Sequence, residues 1–255
     1  MEIITIKLSF TNCYLLPVND NYVLIDTGYD YEWKLFREKL FEKNISVKQI
    51  THIILTHHHD DHAGLLNNIV SENANVKIVM SALSPGLLEK GENDRTHGGS
   101  LVNKRVDFLF NFKMLYLSIL LKKKLDKNTN LTFPPYKIRN GDILIHEDTN
   151  LRDIGIDIDG KIILTPGHCV DSISILLDNK IAIVGDAAAN FLQFAGTKYC
   201  VIFITDINEY YSSWEKIIAG NVREIYPAHG KKFNVKKLVK NIWKNKPENM
   251  VLFTK

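Results

Sequence analysis

The chain has 255 residues, enough for one large domain or two small ones. It is 45% hydrophobic and 24% charged, so it can bury a large core without disulfides or structural metals. The net charge of +3 comes from 32 basic and 29 acidic residues, a balance too even to predict nucleic-acid binding. The three cysteines are irregularly spaced, which excludes a zinc-knuckle pattern and favours a reducing compartment.

No targeting or membrane-spanning segment is predicted. The first ten residues carry Glu2 and Lys7 and have the pattern of a strand, without the regions of a secretory signal. The most apolar stretch, residues 106–121, is interrupted by Asp107 and Lys113, which is not typical of a transmembrane helix. We therefore expect a cytoplasmic protein.

The first half of the chain alternates predicted strands and helices. Tyr31–Lys43 has apolar residues at helical spacing, and Gly64–Val70 predicts a short helix. A turn centred on Asn19-Asp20-Asn21 predicts a hairpin. Strands are predicted at Ile3–Leu8, Cys13–Pro17, Tyr22–Asp26, Ile50–Thr56 and Val76–Met80.

The second half repeats this pattern, with helices predicted at Asn208–Ala219 and Val235–Lys246. Because strands outnumber helices and hairpins precede helices in each half, we predict an α/β fold of two sheets with helices outside. Residues 1–255 are expected to form a single domain. The strands of this half are predicted at Lys161–Thr165, Ser172–Leu177, Lys180–Gly185 and Glu224–Tyr226.

Residues 84–140 differ from the rest, because strand alternation is missing until about Tyr136. Residues 101–125 are mostly apolar with scattered charges and predict one or two inserted amphipathic helices. Packing on the core is the simplest interpretation; a lid, a homodimer surface and an interfacial patch are alternatives. A pocket for an acyl chain is a further alternative, lined by Phe108, Phe110, Phe112, Met114, Leu115, Tyr116 and Leu117.

The segment from Thr56 to His62 carries the strongest chemical signal. It reads Thr-His-His-His-Asp-Asp-His and lies between a predicted strand and a predicted helix. A turn there can direct His57 and His59 to one side while Asp61 and His62 reach a second ion. Imidazole and carboxylate are the ligands expected for zinc, iron or manganese. Four such residues at this spacing favour a metal centre over a surface histidine cluster.

Three later segments each place one further ligand-type side chain at the end of a predicted strand, where loops gather into a site. His168 follows Thr-Pro-Gly, Asp186 follows Val-Gly, and His229 follows Tyr-Pro-Ala. Taken singly, each residue is also explained as a capping aspartate or a core histidine. Together with the first segment, they favour one metal site built from both halves.

The seven residues resemble the full ligand set of the metallo-β-lactamase-fold hydrolase superfamily. Leu24-Ile25-Asp26-Thr27-Gly28 is similar to that family's N-terminal strand-turn motif, and the histidine-rich segment looks like the glyoxalase-II/lactonase-like branch. The resemblance covers nearly the whole chain apart from Ser84–Asn140. It implies a four-layer αββα sandwich of two mixed sheets, with helices outside and the site at one edge of the sheets.

The resemblance also implies two divalent metal ions, for which we expect zinc, with iron or manganese as alternatives. Asp186 would bridge the two ions. Asp26 would orient ligands from outside, although a turn-forming aspartate explains it equally. The first ion would be held by His57, His59 and His168, and the second by Asp61, His62 and His229.

Zinc lowers the pKa of bound water to about 7, so hydroxide is available at neutral pH. We expect it to attack a carbonyl of a thioester, ester or lactone while the ions polarise the carbonyl oxygen. Asp61 and Asp186 are the predicted catalytic residues, and Asp61 would accept or relay the proton. The expected partner is a small-molecule substrate, with no nucleic acid.

Several alternatives stay open at this point. The same fold carries phosphodiesterases and nucleases, and fold analogy alone does not choose among substrates. A di-iron oxidoreductase would need iron, and a metal-holding sensor would show no turnover. Cys169, beside the predicted ligand His168, is either a reactive thiol or a small buried residue, and the burial preference of cysteine favours the second.

Overall fold

Two six-stranded sheets pack face to face, with helices against both outer faces. This arrangement is seen in a computed structural model that describes residues 2–94, 97, 99–109, 111 and 132–252. The four layers are the α/β architecture that the sequence predicts.

The strands within the described residues are short, from two to seven residues each. In chain order they are β1 (Ile4–Lys7), β2 (Asn12–Val18), β3 (Asn21–Ile25), β4 (Ile50–Ile54), β5 (Lys77–Ser81), β6 (Ser100–Leu101), β7 (Ile143–Ile145), β8 (Thr149–Asn150), β9 (Gly160–Leu164), β10 (Ile173–Leu177), β11 (Ile181–Gly185), β12 (Phe203–Ile204), β13 (Glu224–Pro227), β14 (Phe233–Asn234) and β15 (Val251–Leu252).

The N-terminal sheet has the strand order β1-β2-β3-β4-β5-β7 and is mixed. The first three strands are antiparallel, and β3, β4, β5 and β7 run parallel. The predicted hairpin between β2 and β3 is confirmed. Val18 pairs with Asn21, and Asn19 has a φ of +53°, which asparagine tolerates.

The C-terminal sheet has the strand order β14-β13-β11-β10-β9-β8 and is also mixed. Only β11 and β13 are parallel neighbours in it, and its other pairs are antiparallel. A small third sheet joins β12, β6 and β15. The strand β6 lies in a stretch for which the sequence analysis predicts no strand.

Alternation along the strands divides the core into three layers. In β3, Val23 and Ile25 face the layer between the sheets, whereas Leu24 faces the outer helices. In β10, Ile175 faces the inner layer and Leu176 faces the other outer layer. A shift of one residue in either strand would exchange the side chains of the inner and outer layers and disturb their packing.

The helices cover the outer faces of the sheets. Phe36 and Leu40 of α1 pack on the N-terminal sheet, and Trp214 and Ile217 of α6 pack on the C-terminal sheet. No helix in the described ranges is long and apolar enough to cross a membrane. The helices are α1 (Trp33–Phe41), α2 (Asp60–Ala63), α3 (Leu66–Glu72), α4 (Ser84–Lys90), α5 (104–109), α6 (Ile207–Ala219) and α7 (Lys236–Asn241).

The predicted helix at Val235–Lys246 is wrong at its C-terminal end, because α7 stops at Asn241. Beyond it, Trp243 adopts a φ of +58° and packs at a tilt against Tyr211 with ring centroids 5.0 Å apart. The backbone N–H of Asn245 donates to the Tyr211 hydroxyl at 2.9 Å. These tertiary contacts outweigh the helical propensity of a lysine-rich segment.

The predicted helical insertion is described only in part. Its helices α4 and α5 fall within the predicted stretch, and β6 lies between them. Residues 110 and 112–131 lie outside the described residues, so the continuation of the predicted 101–125 helices and most of the predicted acyl pocket stay predictions.

We expect Ile175→Ala to lower the free energy of unfolding by about 2–5 kcal/mol, because a fully buried side chain between the sheets is lost. Chemical denaturation followed by circular dichroism measures this change. Lys161→Ala on the neighbouring strand is the control, since Lys161 is exposed and should cost less than about 0.5 kcal/mol. Equal losses in both variants would contradict the inner-layer position.

Candidate metal centre

The predicted ligand residues lie where strands of both sheets end. The segment from His57 to His62 follows β4 and continues into α2. His168 lies in the turn between β9 and β10, Asp186 follows β11, and His229 follows β13. All seven side chains therefore meet at one edge of the sandwich, as the sequence analysis expects.

The first group contains His57, His59 and His168, whose ligand-type atoms lie within 4.8 Å of one another. His59 Nδ1 is 3.1 Å from His168 Nε2. Two nitrogens that each lie 2.0–2.1 Å from one tetrahedral ion are about 3.3 Å apart, so this separation suits a shared cation.

The second group contains Asp61, His62 and His229. His229 Nε2 lies 3.2 Å from Asp61 Oδ2, and His62 Nε2 lies 3.5 Å from the same oxygen. Asp186 stands between the groups. Its Oδ1 is 3.3 Å from His229 Nε2, and its Oδ2 is 3.5 Å from His168 Nε2. One carboxylate thus reaches both groups, which is the position expected of a bridging ligand.

Contacts outside the cluster fix which ring nitrogen faces inward. His168 Nδ1 donates to the carbonyl of Phe203 at 2.8 Å, and His229 Nδ1 donates to the carbonyl of Phe10 at 3.0 Å. Because a carbonyl oxygen can only accept, Nδ1 of each ring carries a proton. Nε2 then faces the site and does not need a proton of its own.

Asp26 fixes the orientation of the His62 ring and also forms the predicted turn. Its Oδ2 accepts from His62 Nδ1 at 2.8 Å, and both carboxylate oxygens accept from Thr56. Thr56 Oγ1 donates to Asp26 and so accepts from His57 Nδ1, 3.1 Å away. Asp26 has a φ of +59°, a left-handed conformation that aspartate tolerates. The two explanations offered by the sequence both apply to this residue.

Gly167 permits the turn that carries His168. Its φ is +122°, and a Cβ added there would lie 2.3 Å from the backbone nitrogen of Tyr210 at the start of α6. The Gly167 carbonyl also accepts from the backbone of Thr205 and Asp206. The turn is therefore held tightly between β9 and α6.

Burial and charge separate the two groups electrostatically. Burial, reinforced by the neighbouring imidazoles, lowers the pKa of His57 and His59, and burial lowers the pKa of His168. Burial acts in the same direction on His62, but the carboxylates of Asp61 and Asp26 outweigh it and raise its pKa to about 9. The first group is therefore neutral at pH 7, whereas the second combines anionic carboxylates with protonated histidine.

A buried pair that the sequence analysis did not assign supports the first group. His58 Nδ1 lies 2.9 Å from Asp171 Oδ1, and Ser84 Oγ donates to Asp171 Oδ2 at 2.8 Å. His58 Nε2 accepts from the backbone of Asp94. Both partners are almost fully buried. A fully buried aspartate needs a partner, so the acidic residue three positions after His168 was the signal for this pair in the sequence.

Cys169 and Tyr210 are buried next to the cluster. Cys169 is 6% exposed, its Sγ lies 3.1 Å from His59 Nε2, and it belongs to the same group of potential ligand atoms as His57, His59 and His168. Tyr210 is fully buried, and its hydroxyl donates to the backbone carbonyl of Asp186 at 3.1 Å. Tyr210 therefore holds the chain that carries Asp186 rather than facing a substrate.

The cluster fits divalent cations. Four buried side-chain atoms in the described part of the chain form no hydrogen bond, and three of them belong to this cluster: His57 Nε2, His62 Nε2 and Asp186 Oδ1. Buried polar atoms normally find partners, and imidazole nitrogens and carboxylate oxygens are ligands for zinc and related ions.

A four-layer sandwich with a histidine- and aspartate-rich cluster at its edge defines a class of metal-binding proteins. The sequence profile described as "Metallo-beta-lactamase superfamily" matches residues 6–229. The chain belongs to this superfamily, as the resemblance of its ligand set implies.

Two curated proteins illustrate the similarity. The chain is 26% identical over 228 residues to "Beta-lactamase-like protein 2 homolog" of Caenorhabditis elegans, covering 88% of this chain and 57% of that protein. It is 30% identical over 101 residues to "Thioesterase pkgB" of Emericella nidulans, covering 38% and 29% respectively. The chain thus spans little more than half of the first relative and less than a third of the second.

Solved structures share the fold. The subclass B3 metallo-beta-lactamase BJP-1 of Bradyrhizobium japonicum matches with a TM-score of 0.60 and 18% identity, covering 89% of this chain and 74% of that one. An archaeal metallo-beta-lactamase superfamily protein of Sulfolobus tokodaii matches with a TM-score of 0.58 and 19% identity, covering 92% and 80%. At these identities the likeness concerns the fold alone.

Asp26→Asn should weaken metal binding by about 10- to 100-fold, because the neutral amide no longer orients and polarises His62. Competition with a chromophoric chelator measures the affinity. Asparagine tolerates the left-handed turn, so the fold should be kept. The control Asp178→Asn changes an exposed aspartate and should leave the affinity unchanged; a wild-type affinity in Asp26→Asn would refute the orienting role.

Metal binding to the second group should release protons below about pH 9, since His62 is protonated there in the metal-free protein and Asp186 and Asp61 also raise the pKa of His229. The affinity of this group should therefore rise at least about tenfold per pH unit between pH 6 and 8. The first group, with lowered pKa values, should show no such rise. Calorimetry in buffers of different ionisation enthalpy counts the protons; a pH-independent affinity at both groups would contradict the assignment.

Proposed function

We propose that this protein is a hydrolase that uses two divalent metal ions, held by the seven residues, to cleave a thioester, ester or lactone. The observation that carries the proposal is the convergence of five imidazoles and two carboxylates, in which the buried atoms His57 Nε2, His62 Nε2 and Asp186 Oδ1 form no hydrogen bond. His57, His59 and His168 would hold the first ion, and Asp61, His62 and His229 the second. Asp186 would contact both.

The chain's own residues prepare the site for this chemistry. The outward hydrogen bonds of His168 and His229 to backbone carbonyls hold both rings in place before any substrate arrives. Thr11 Oγ1 donates to Asp61 Oδ2 at 3.0 Å and orients that carboxylate. Cations bound there would supply a polarised carbonyl and hydroxide at neutral pH. Asp61, anionic in this environment, is placed to accept the proton of the attacking water.

The exposure of the cluster residues indicates where substrate enters. The His57 and His62 side chains are fully buried, whereas His229 is 21% exposed and Asp61 is 12% exposed. Access is therefore from the side of His229 and Asp61, and the first group lies deeper. A carbonyl that approaches from this side meets Asp61 and Asp186 first.

Two observations favour a substrate with a carbonyl group. One relative is named "Thioesterase pkgB", and this name assigns thioester hydrolysis to that protein. An aspartate at position 186 resembles the thioesterase, lactonase and phosphodiesterase branches of the superfamily rather than the secreted β-lactamases. Hydrolysis of a phosphodiester by the same residues is the competing function.

We expect purified protein loaded with zinc to hydrolyse a short acyl thioester or an N-acyl homoserine lactone, and to lose this activity on chelation. Asp186→Asn should reduce kcat/KM more than about 100-fold. This loss exceeds the 10- to 100-fold effect that is usual for residues that only orient metal ligands. The control is Asp60→Asn. Asp60 is adjacent to the cluster in sequence, but its carboxylate pairs with Asn93 instead.

The same panel includes a bis-phosphodiester and a β-lactam, with metal content measured by mass spectrometry. Cleavage of the phosphodiester without turnover of thioester or lactone would overturn the preferred substrate class. A purified protein that carries iron and consumes oxygen would instead indicate an oxidoreductase. Metal binding at one ion per chain would contradict the dinuclear assignment.

A further inference from the structure

Each imidazole ring of the cluster is held at the nitrogen that faces away from the metal centre. For four of the rings the partner atom is an oxygen, whereas for His59 it is the sulfur of Cys169, which lies 3.1 Å from Nε2. The oxygen partners are Thr56 Oγ1 for His57, Asp26 Oδ2 for His62, and the carbonyls of Phe203 and Phe10 for His168 and His229. Cys169 thus takes the place that an oxygen has on the other four rings.

The position of the sulfur relative to the His59 ring distinguishes two roles for Cys169. Proximity alone would allow a ligand role, since Sγ lies within 4.8 Å of ligand-type atoms of His57, His59 and His168. However, Sγ is 3.1 Å from His59 Nε2 and 3.9 Å from His59 Nδ1, and Nδ1 is the nitrogen that lies 3.1 Å from His168 Nε2. The two ring nitrogens point in nearly opposite directions. A cation on Nδ1 would therefore lie beyond the zinc–sulfur bond length of about 2.3 Å from Cys169.

The proton of the His59 ring must lie on Nε2 when a cation is bound to Nδ1. A ring nitrogen binds a cation only without a proton of its own, so the neutral ring keeps its proton on the other nitrogen. The Nε2–H group then donates to Cys169 Sγ, since a thiol sulfur is a weak hydrogen-bond acceptor. The sulfur therefore favours the tautomer that metal binding needs, as the carbonyl of Phe203 does for His168.

The turn between β9 and β10 holds Cys169 in this place. The backbone N–H of Cys169 donates to Ser172 Oγ at 3.2 Å, and the Cys169 carbonyl accepts from the backbone N–H of Ser172 at 3.4 Å. Asp171 of the same turn pairs with the buried His58 at 2.9 Å. Because Cys169 is only 6% exposed, its side chain has little space in which to turn away. The turn that carries His168 thus contacts the histidine motif through two further side chains.

The inward side of the first group is arranged for a cation. His57 Nε2, which belongs to the same group of atoms as Cys169 Sγ, is buried and forms no hydrogen bond with a described residue. Buried polar atoms normally have a partner, so an unpaired nitrogen at this place indicates a bound ion. The outward nitrogens of the three rings are by contrast all in contact, with Thr56, Cys169 and Phe203.

We propose that Cys169 is a positioning residue for the first metal ion, and that it holds His59 through a hydrogen bond from Nε2–H to Sγ. This inference rests on the proposed binding of a cation by the first group, but it does not depend on the substrate. Because Cys169 directly follows His168, one turn fixes two ligands, His168 by its own position and His59 through the sulfur. Removal of the sulfur should therefore weaken binding of the first ion and leave the second ion unaffected.

Zinc titrations followed by NMR of isotope-labelled histidine measure the two groups separately, because the rings of each group respond to their own ion. We expect Cys169→Ala to weaken zinc binding at the first group about 10- to 100-fold, the usual cost of losing the partner of a metal-ligating histidine. The affinity of the second group should stay within about twofold. Cys169→Ser should restore most of the affinity, since a hydroxyl oxygen also accepts from Nε2–H.

The matched control is Cys200→Ala, which truncates another buried cysteine at a distance from the ligand residues. Cys200 is fully buried, and its Sγ lies 3.6 Å from the Tyr211 hydroxyl and 3.3 Å from Asn245 Nδ2. This variant should keep the wild-type zinc affinity at both groups. An equal loss in Cys200→Ala, or an equal loss at both groups in Cys169→Ala, would show a general packing effect and overturn the positioning role.

Two spectroscopic measurements on the zinc-loaded protein separate a hydrogen bond from a bond to the ion. The Nε2–H proton of His59 should give an NMR resonance that Cys169→Ala shifts or removes and Cys169→Ser keeps, a change that a purely structural role would not produce. X-ray absorption should show no zinc–sulfur distance near about 2.3 Å. Such a distance in the wild type that disappears in Cys169→Ala would make Cys169 a ligand and overturn the proposal.

The outcome in the wild type separates this inference from the proposed function. A wild-type protein that binds no ion at the first group would overturn both. If the wild type and Cys169→Ala bind the first ion equally tightly, the dinuclear site is kept and only the role of Cys169 is refuted.

Discussion

The structure depends on satisfying charged and polar side chains buried at the edge of a β-sandwich. Asp26, Asp171 and Asp186 are each less than 10% exposed, and an isolated buried carboxylate is strongly unfavourable. Asp26 and Asp171 are satisfied by hydrogen bonds to histidine and hydroxyl groups. Asp186 faces the imidazole nitrogens of His62, His168 and His229, and its Oδ1 forms no hydrogen bond. The carboxylates of Asp26 and Asp171 therefore form a hydrogen-bonded frame around the cluster, whereas the carboxylate of Asp186 is available to bind cations.

This frame also joins the halves of the chain. The backbone N–H of Ile173 donates to the carbonyl of Thr56 at 2.8 Å, so β10 is tied directly to the segment that begins the histidine motif. The His58–Asp171 pair and the Asn12–Ala228 hydrogen bond make the same connection on either side of it. Because each half supplies part of the ligand set, the site depends on the packing of the two sheets, and bound cations would stabilise that packing in return.

The two groups of the cluster differ in burial and in charge. The first group is neutral and its His57 is fully buried, whereas the second group is charged and is partly exposed at His229. A cation bound at one group would therefore meet a different environment from a cation bound at the other.

Much of the fold was predictable from local patterns, because short apolar runs bounded by turn residues predict buried strands, and β10 is buried along its whole length. The ends of β3, β4, β11 and β13 were also predictable, and with them the order of the ligand residues. The helix after Val235 was overestimated, because its last residues are held by Tyr211, a contact between segments that no local pattern reports.

The sequence by itself determined the chemical identity of the ligands, since imidazole and carboxylate at such spacing favour divalent metals wherever they lie. Only the tertiary structure decided which nitrogen of each ring points inward, because that choice depends on carbonyls distant in the chain, such as those of Phe10 and Phe203. It likewise decided that Asp171 pairs with His58. These contacts form where the edges of the two sheets meet. The separation of residues along the chain does not indicate which of them come together there.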